Sequence, residues 1–299
     1  NNYANKFTVG YTRVRDDRDP SGSPFPTVNI DDGAGNIQFG SEPFSTANLL
    51  NQDVFTITND FEIYKGKHTI TIGTHNEFYN IGNLFIAFNY GQYRYSSLND
   101  FLTDQPSSDF DRNYSQVDNK VGDESQAIAK FNAGQFGLYI QDEFQVTDRL
   151  KLTGGLRIDM PFFDNTPTNN AFNNTTIPML EQFYDLKGAK TGSFIKTQVM
   201  FAPRFGFNYD VKGDQTLQIR GGVGVFTSRV PLVWPGGAFN NYGFNVGGIF
   251  FGNEVFNPDV NSQPPGNVDV ANPNPSGTID LFAEDFKIPQ VMKADIAVD

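Results

Sequence analysis

The chain has no cysteine among its 299 residues, which removes disulfides, thiol nucleophiles and thiolate metal sites together. It has only two histidines, His68 and His75. They fall on opposite parities of one alternating stretch, so a shared metal site would need a bulge between them. They read as a turn residue and an inward-facing polar residue, and no metal or other cofactor is expected. Basic residues are scarce, 22 Lys and Arg against 34 Asp and Glu. Nucleic acid is not an expected partner on that balance, because phosphate recognition depends on clustered cations. No apolar run approaches the roughly 18 residues of a membrane helix, and the residues after Asn1 lack the charged and apolar segments of a signal peptide. A G-x-S-x-G elbow, an H-E-x-x-H helix and a phosphate loop are all missing from the sequence. The run Asp31-Asp32-Gly33-Ala34-Gly35-Asn36 lacks the alternating acidic ligands and terminal Glu of a calcium loop and reads as a plain turn. No catalytic residue is assigned, and the protein is not expected to be an enzyme.

Phe is abundant, at 30 residues against a single Trp, and Gly reaches 29. That composition suits long sheets joined by structured loops, since disordered chains are poor in aromatics. The mean hydropathy of -0.41 does not separate a soluble domain from a membrane barrel, whose alternating strands keep hydropathy low.

Residues Gln135 to Phe162 carry the clearest pattern. The even positions Phe136, Leu138, Ile140, Phe144, Val146, Leu150, Leu152, Leu156, Ile158, Met160 and Phe162 are apolar, and most odd positions are polar. Period two means strand. Thr147-Asp148-Arg149 breaks the alternation as the turn of an antiparallel hairpin. Each arm runs about a dozen residues, against five or six for an ordinary strand and 9 to 11 for a tilted strand crossing a bilayer.

The same pattern recurs along the chain. A first strand over Lys6 to Arg13 enters a proline-rich loop to about Asn51. A hairpin turning at Lys65-Gly66-Lys67-His68 pairs Tyr64 with Thr69, which sets Ile63 opposite Ile70 and Phe55 opposite Phe78. Residues 82–133 form a long aromatic insertion with one short helix at Ser97 to Leu102, capped by Ser96 or Ser97. A further hairpin has Phe201, Phe205, Phe207 and Tyr209 on one side. It turns at Lys212-Gly213-Asp214 and returns through Leu217, Ile219, Val223 and Val225. Pairing Val211 with Gln215 there would put Arg220 opposite Gly206 and Arg204 opposite Gly222. A last strand begins at Phe286, with Ile288, Met292, Ala294, Ile296 and Val298 on one side, and the chain stops within it, as a fragment would.

Short turns and loops of roughly 35 to 55 residues alternate strictly, whereas loops beyond about 12 to 15 residues are uncommon in compact domains. All short turns therefore fall at one end of the sheet and all long loops at the other, as in outer-membrane barrels with periplasmic turns and extracellular loops. The expected fold is all-β, an antiparallel transmembrane barrel segment of about eight long strands. Eight such strands can also close a small barrel on their own. Asp142 is the exception, a carboxylate on the apolar parity. It fits either a position near the membrane interface or a bulge.

The run Phe136-Gly137-Leu138-Tyr139-Ile140-Gln141-Asp142-Glu143-Phe144, followed by Leu150-Lys151-Leu152-Thr153-Gly154-Gly155-Leu156-Arg157-Ile158-Asp159, resembles the barrel of TonB-dependent outer-membrane receptors. There a Y-x-Q-D-E strand precedes a G-L-R-x-D strand. Phe201-Ala202-Pro203-Arg204-Phe205-Gly206-Phe207 and Arg220-Gly221-Gly222-Val223-Gly224-Val225-Phe226 are similar to the next hairpin of those barrels. Ser96-Ser97-Leu98-Asn99-Asp100-Phe101-Leu102 is similar to the Oar-like branch of Bacteroidota and relatives. The resemblance implies that residues 1–299 are part of one receptor barrel of 22 strands in a Gram-negative outer membrane. It implies active import of a solute, with energy reaching a plug through the TonB complex; plug, TonB box and remaining strands are not in this sequence. A peptide or glycan solute and outer-membrane lipid would be the partners.

Glu143, Arg157, Asp159, Arg204, Asp210 and Arg220 would line the polar interior, either recognising solute or pairing with one another and with the plug. Tyr93, Tyr95, Trp234, Phe239 and Tyr242 are candidates for ligand contact in the extracellular loops, against the alternative that they pack the loops together. Two other readings stay open: a secreted or surface-anchored β-sandwich adhesin or glycan-binding module, and a structural barrel within a larger envelope complex.

Overall fold

The computed structural model describes residues 2–33, 35–118 and 120–299. An eight-stranded antiparallel wall carries the fold. In chain order its strands are β1 (Tyr3–Arg18), β4 (Asn48–Lys65), β5 (His68–Phe85), β8 (Ala129–Gln145), β9 (Leu150–Phe163), β10 (Met200–Asp210), β11 (Gln218–Thr227) and β13 (Gln290–Val298). The strands lie side by side in that same order. β1 and β13 are the outer strands and do not pair with each other, so the wall is not closed as an eight-stranded barrel.

The long loops fold into a cap at the extracellular end. Its five-stranded sheet has the order β12-β7-β6-β2-β3. These strands are β2 (Thr27–Asp31), β3 (Asn36–Phe39), β6 (Gln92–Tyr95), β7 (Asp109–Ser115) and β12 (Val246–Phe251). The long loops also carry helices α1 (Leu98–Leu102), α2 (Ile177–Leu180) and α3 (Val233–Asn240). The cap core is Val28, Ile30, Tyr93, Tyr95 and Phe110.

The wall has one apolar face with no protein layer over it. Phe7, Leu138, Ile140, Leu156, Phe205, Met292 and Ile296 are all exposed on it. Contiguous exposed apolar surface of this kind marks contact with membrane or partner. It excludes the β-sandwich, whose apolar faces bury each other. The short turns mark the periplasmic end and the cap the extracellular end.

The first two hairpins adopt the register that alternation dictates. Tyr64 pairs with Thr69, Ile63 with Ile70 and Phe55 with Phe78. β8 and β9 pair without interruption from Ala133↔Phe163 to Gln145↔Lys151. Asp142 is therefore not at a bulge. It lies three residues from the end of β8, and its Oδ2 meets His68 Nδ1 at 2.8 Å, beside the periplasmic turn.

The third hairpin departs from expectation. Arg220 pairs with Asn208, Gly222 with Gly206, and Arg204 with Gly224. The turn is wider than Lys212-Gly213-Asp214 because the Asp210 carboxylate accepts hydrogen bonds from Gly213 N (2.8 Å) and Gln215 N (3.0 Å). Gln215 takes a positive φ of 63°, and Val211 N donates to Leu217 O (2.9 Å). This anchored loop moves the register by two residues, which keeps every side chain on its expected face.

Strand ends also differ. β1 runs on to Arg18 because the polar residues Arg15 to Arg18 continue the backbone ladder with Asn51 to Asn48. The last strand starts at Gln290, not Phe286. Ile288 is instead buried with Phe194, Ile195, Met200 and Ala238, and Phe286 packs against that cluster. The Asp31–Asn36 run is a turn in which Asp32 N donates to Gly35 O (3.0 Å); Ala34 lies outside the described residues. α1 begins as its sequence requires, with Ser97 Oγ accepting from Asp100 N at 3.1 Å.

Candidate functional site

The inner face of the wall is built from the polar parity of the strands, and its charges are largely matched. Arg157 Nε donates to Asp159 Oδ1 at 2.7 Å, and Gln135 Nε2 reaches the same oxygen at 2.8 Å. The Arg157 guanidinium lies 5.6 Å from the centroid of the Tyr139 ring, and the Tyr139 hydroxyl donates to Asp60. Gly137, directly opposite Asp159, leaves the space that the Arg157 head group fills. A cavity of about 290 Å³ lies over this stretch, with His75, Tyr139, Gln141, Arg157 and Arg204 on its walls. Arg157 and Asp159 are thus brought together as an ion pair, and both face the lumen.

The other inward candidates are more dispersed. Glu143 pairs with Lys151 Nζ at 3.0 Å near the periplasmic end. The Arg204 guanidinium covers the Phe226 ring at 4.5 Å. Arg220 Nε meets Asp299 Oδ2 at 2.7 Å. Asp210 is a turn anchor, its carboxylate engaged by Gly213 N and Gln215 N.

A further polar cluster, not among the residues expected from the sequence, centres on Glu77. Glu77 Oε1 accepts from Arg229 Nη2 (2.5 Å) and meets His75 Nε2 (3.2 Å), while Tyr79 OH donates to Oε2 (2.5 Å). His75 Nδ1 in turn meets Thr58 Oγ1 at 2.7 Å. The parity of His75, Glu77 and Tyr79 was visible in the sequence; their partner Arg229 was not, because it comes from the loop after β11. β11 and β5 are separated in the wall by β8, β9 and β10, so this loop folds back across the inner face. α3 follows it inward: the Phe239 ring stacks on Phe131 at 4.4 Å, and Asn240 Nδ2 donates to Asn83 O at 3.2 Å.

The aromatic loop candidates sort by burial. Tyr93 is fully buried, donates from its hydroxyl to Gln263 Oε1 at 2.6 Å and packs edge-on against Phe110 and Phe256. Burial pushes its phenol up to about 12. Tyr95 is buried edge-on to Phe101, Phe239 is buried against Phe131, and the half-buried Tyr242 packs near Phe244. Tyr93, Tyr95 and Phe239 pack within the cap and its seat on the wall, and Tyr242 keeps part of its surface open. Trp234 is the most open of the five, 61% exposed.

A family model described as an outer membrane beta barrel domain matches residues 1–299. No curated protein matches the sequence. With the lipid-facing apolar row, the polar inner face and a family match over its whole length, the chain belongs to the outer membrane β-barrel domain family and resides in the outer membrane of a Gram-negative bacterium.

Proposed function

We propose that this wall is part of a TonB-dependent transporter of the Oar-like branch, which imports a solute by energised binding and release. The observation that supports it best is the placement of the receptor-like hairpin motifs. They occupy β8, β9, β10 and β11, four adjacent strands of one continuous wall. Their Arg157, Asp159 and Arg204 lie on the inner face, where a plug or passing solute would meet them. On this reading the inner ion pairs and the inward loop form the lining of a filled lumen. No covalent step is assigned to any residue. The energy source would be the TonB complex, acting through a plug domain, and the solute would be a peptide or glycan admitted past the cap.

The test uses the full-length protein extracted in detergent. It should bind the periplasmic domain of TonB and, in planar bilayers, show no steady ion conductance, because a plug fills the lumen. Steady open conductance without TonB binding would replace this reading with a porin. Closed bilayers without TonB binding, together with co-purifying envelope subunits, would replace it with a structural barrel.

A further inference from the structure

The cap holds a second cavity, of about 300 Å³, whose walls include Asn89, Arg112, Ser115, Asp118, Lys120 and Glu124. Arg112 lies on β7 and is only 6% exposed. Its Nε donates to Asn89 O (3.0 Å), and its Nη1 donates to Gln263 O (2.9 Å) and Pro264 O (2.8 Å). All three acceptors are neutral carbonyls. Among the described residues no carboxylate comes within ion-pairing distance of Arg112. A guanidinium carries five N–H donors, so the two on Nη2 have no partner among the described residues. Burial pushes the Arg112 pKa down to about 10, still high enough to leave a charged group at neutral pH. The guanidinium lies 5.9 Å from the Tyr114 ring centroid and is attracted by the Glu124 carboxylate beyond ion-pairing distance, so a direct partner for this buried cation is wanting only at the Nη2 edge.

The acidic side chains of the cavity differ in what they have left to offer. Asp118 is fully engaged: Oδ1 accepts from Gln126 N (3.0 Å), and Oδ2 from Ser115 Oγ (2.7 Å) and Ala127 N (3.0 Å). Glu124 uses only Oε1, which accepts from Asn89 Nδ2 (2.6 Å) and Gly122 N (2.7 Å). Its Oε2 has no partner among the described residues, and burial pushes its carboxyl above the usual range. Arg112 and Glu124 thus flank Asn89, one on its backbone carbonyl and the other on its side-chain amide. Lys120 is exposed at the mouth.

We propose that this cavity binds a small carboxylate-bearing zwitterion of amino-acid or dipeptide size, with its carboxylate on the Arg112 fork and its ammonium toward Glu124. The planar guanidinium matches a carboxylate through two parallel hydrogen bonds. A phosphate dianion is a poorer fit, since the Glu124 and Asp118 carboxylates on the same walls would repel its second charge. A neutral sugar would satisfy donors and acceptors but leave the Nη2 edge of Arg112 without a charged partner. The site faces the outside of the cell and does not depend on coupling to TonB.

The test is a ligand-observed NMR titration of the full-length protein in detergent, in carboxylate-free buffer, with glycylglycine, acetate, inorganic phosphate and glucose as probes. Glycylglycine should bind at one site, more tightly than acetate. Arg112→Gln should weaken both carboxylates at least about tenfold, the scale of hydrogen bonds to a charged group. Glu124→Gln should bring glycylglycine down toward acetate and leave acetate unweakened. Because Arg112 also holds three carbonyls, the control is Lys120→Ala at the mouth, whose side chain makes no hydrogen bond or ion pair among the described residues; it should weaken both carboxylates several-fold. The proposal is overturned if glycylglycine shows no binding at tens of millimolar, or if phosphate or glucose binds more tightly. Binding that survives Lys120→Ala and Glu124→Gln unchanged would overturn it equally.

Discussion

Ile140→Arg should be among the most damaging single changes on the outer face of the wall, and its cost can be set from position. Ile140 is five residues above Gln145, the periplasmic end of β8. At about 3.3 Å per residue and a tilt near 45°, that places it about 12 Å above the turn, half-way up an apolar band about 25 Å tall. An arginine at the midplane costs about 2–4 kcal/mol, which is about 30- to 900-fold in the folding equilibrium. Gln141→Arg, one residue along, points into the polar interior and should stay within about 0.5 kcal/mol of the parent.

Asp142 calibrates the depth scale. By the same geometry it lies about 7 Å above the turn, short of the midplane, where a carboxylate costs less than an arginine, and His68 gives it a partner at 2.8 Å. The assay is urea unfolding of the protein refolded into lipid vesicles, read by the gel-mobility shift between folded and heated barrel. Equal costs at positions 140 and 141, or a greater cost at 141, would show that the apolar parity does not face lipid.

Three other perturbations follow from single contacts. Asp210→Ala removes the acceptor for Gly213 N and Gln215 N and should cost about 1 kcal/mol at this exposed turn, seen as faster amide exchange over residues 211–217. Glu77→Gln weakens the ion pair that ties Arg229 to the wall; trypsin should then cleave after Arg229 several times faster, and an unchanged rate would mean that the packing of Val230 and Leu232 holds this segment without the ion pair. Tyr93→Phe leaves the buried Gln263 Oε1 without its hydroxyl donor and should cost the cap about 1–2 kcal/mol, read by amide exchange in β6 and β7. The raised carboxyl of Glu124 gives a pH dependence with a defined sign. A folded-state pKa above the unfolded value adds stability that is present below about 4.3 and is lost as pH rises through the folded value. Amide protection in the cap should therefore be greater near pH 5 than at neutral pH, and Glu124→Gln should flatten that difference.

Periodicity reached the wall because a strand with one face in lipid and one in water must alternate along its whole length. The register of β4 with β5 followed from matching apolar residues across a tight turn. The register of β10 with β11 did not, because a carboxylate anchoring two backbone amides sets the width of that turn, and alternation is blind to a shift of two. The cap sheet was illegible for another reason. β3 and β6 have four residues each, and β2 pairs in parallel with β6 from a different loop. Val28 and Ile30, or Tyr93 and Tyr95, alternate too briefly to separate a strand from an ordinary loop. The inner-wall pair Arg157 and Asp159 was readable from parity, whereas the Glu77 cluster depends on Arg229, 152 residues away.

Wall and cap draw on different sources of stability. The cap core of Val28, Ile30, Tyr93, Tyr95 and Phe110 is made only from loop residues, and it excludes water without help from the bilayer. The middle of the wall relies on lipid outside and paired charges inside. The two are joined where loop aromatics meet upper strand residues: Phe239 on Ile81, Ala129 and Phe131, and Phe194 beside Met200. The loop bearing Arg229 and α3 is therefore the element through which a change in the cap reaches the inner wall. The first residues of that loop are also held apart from Glu77, with Ser228 N donating to Pro289 O at 3.0 Å, Val230 packed beside Phe194 and Ile288, and Leu232 packed beside Ile81 and Phe239, so loss of the Glu77 contact would loosen the Arg229 side chain while the loop stayed seated.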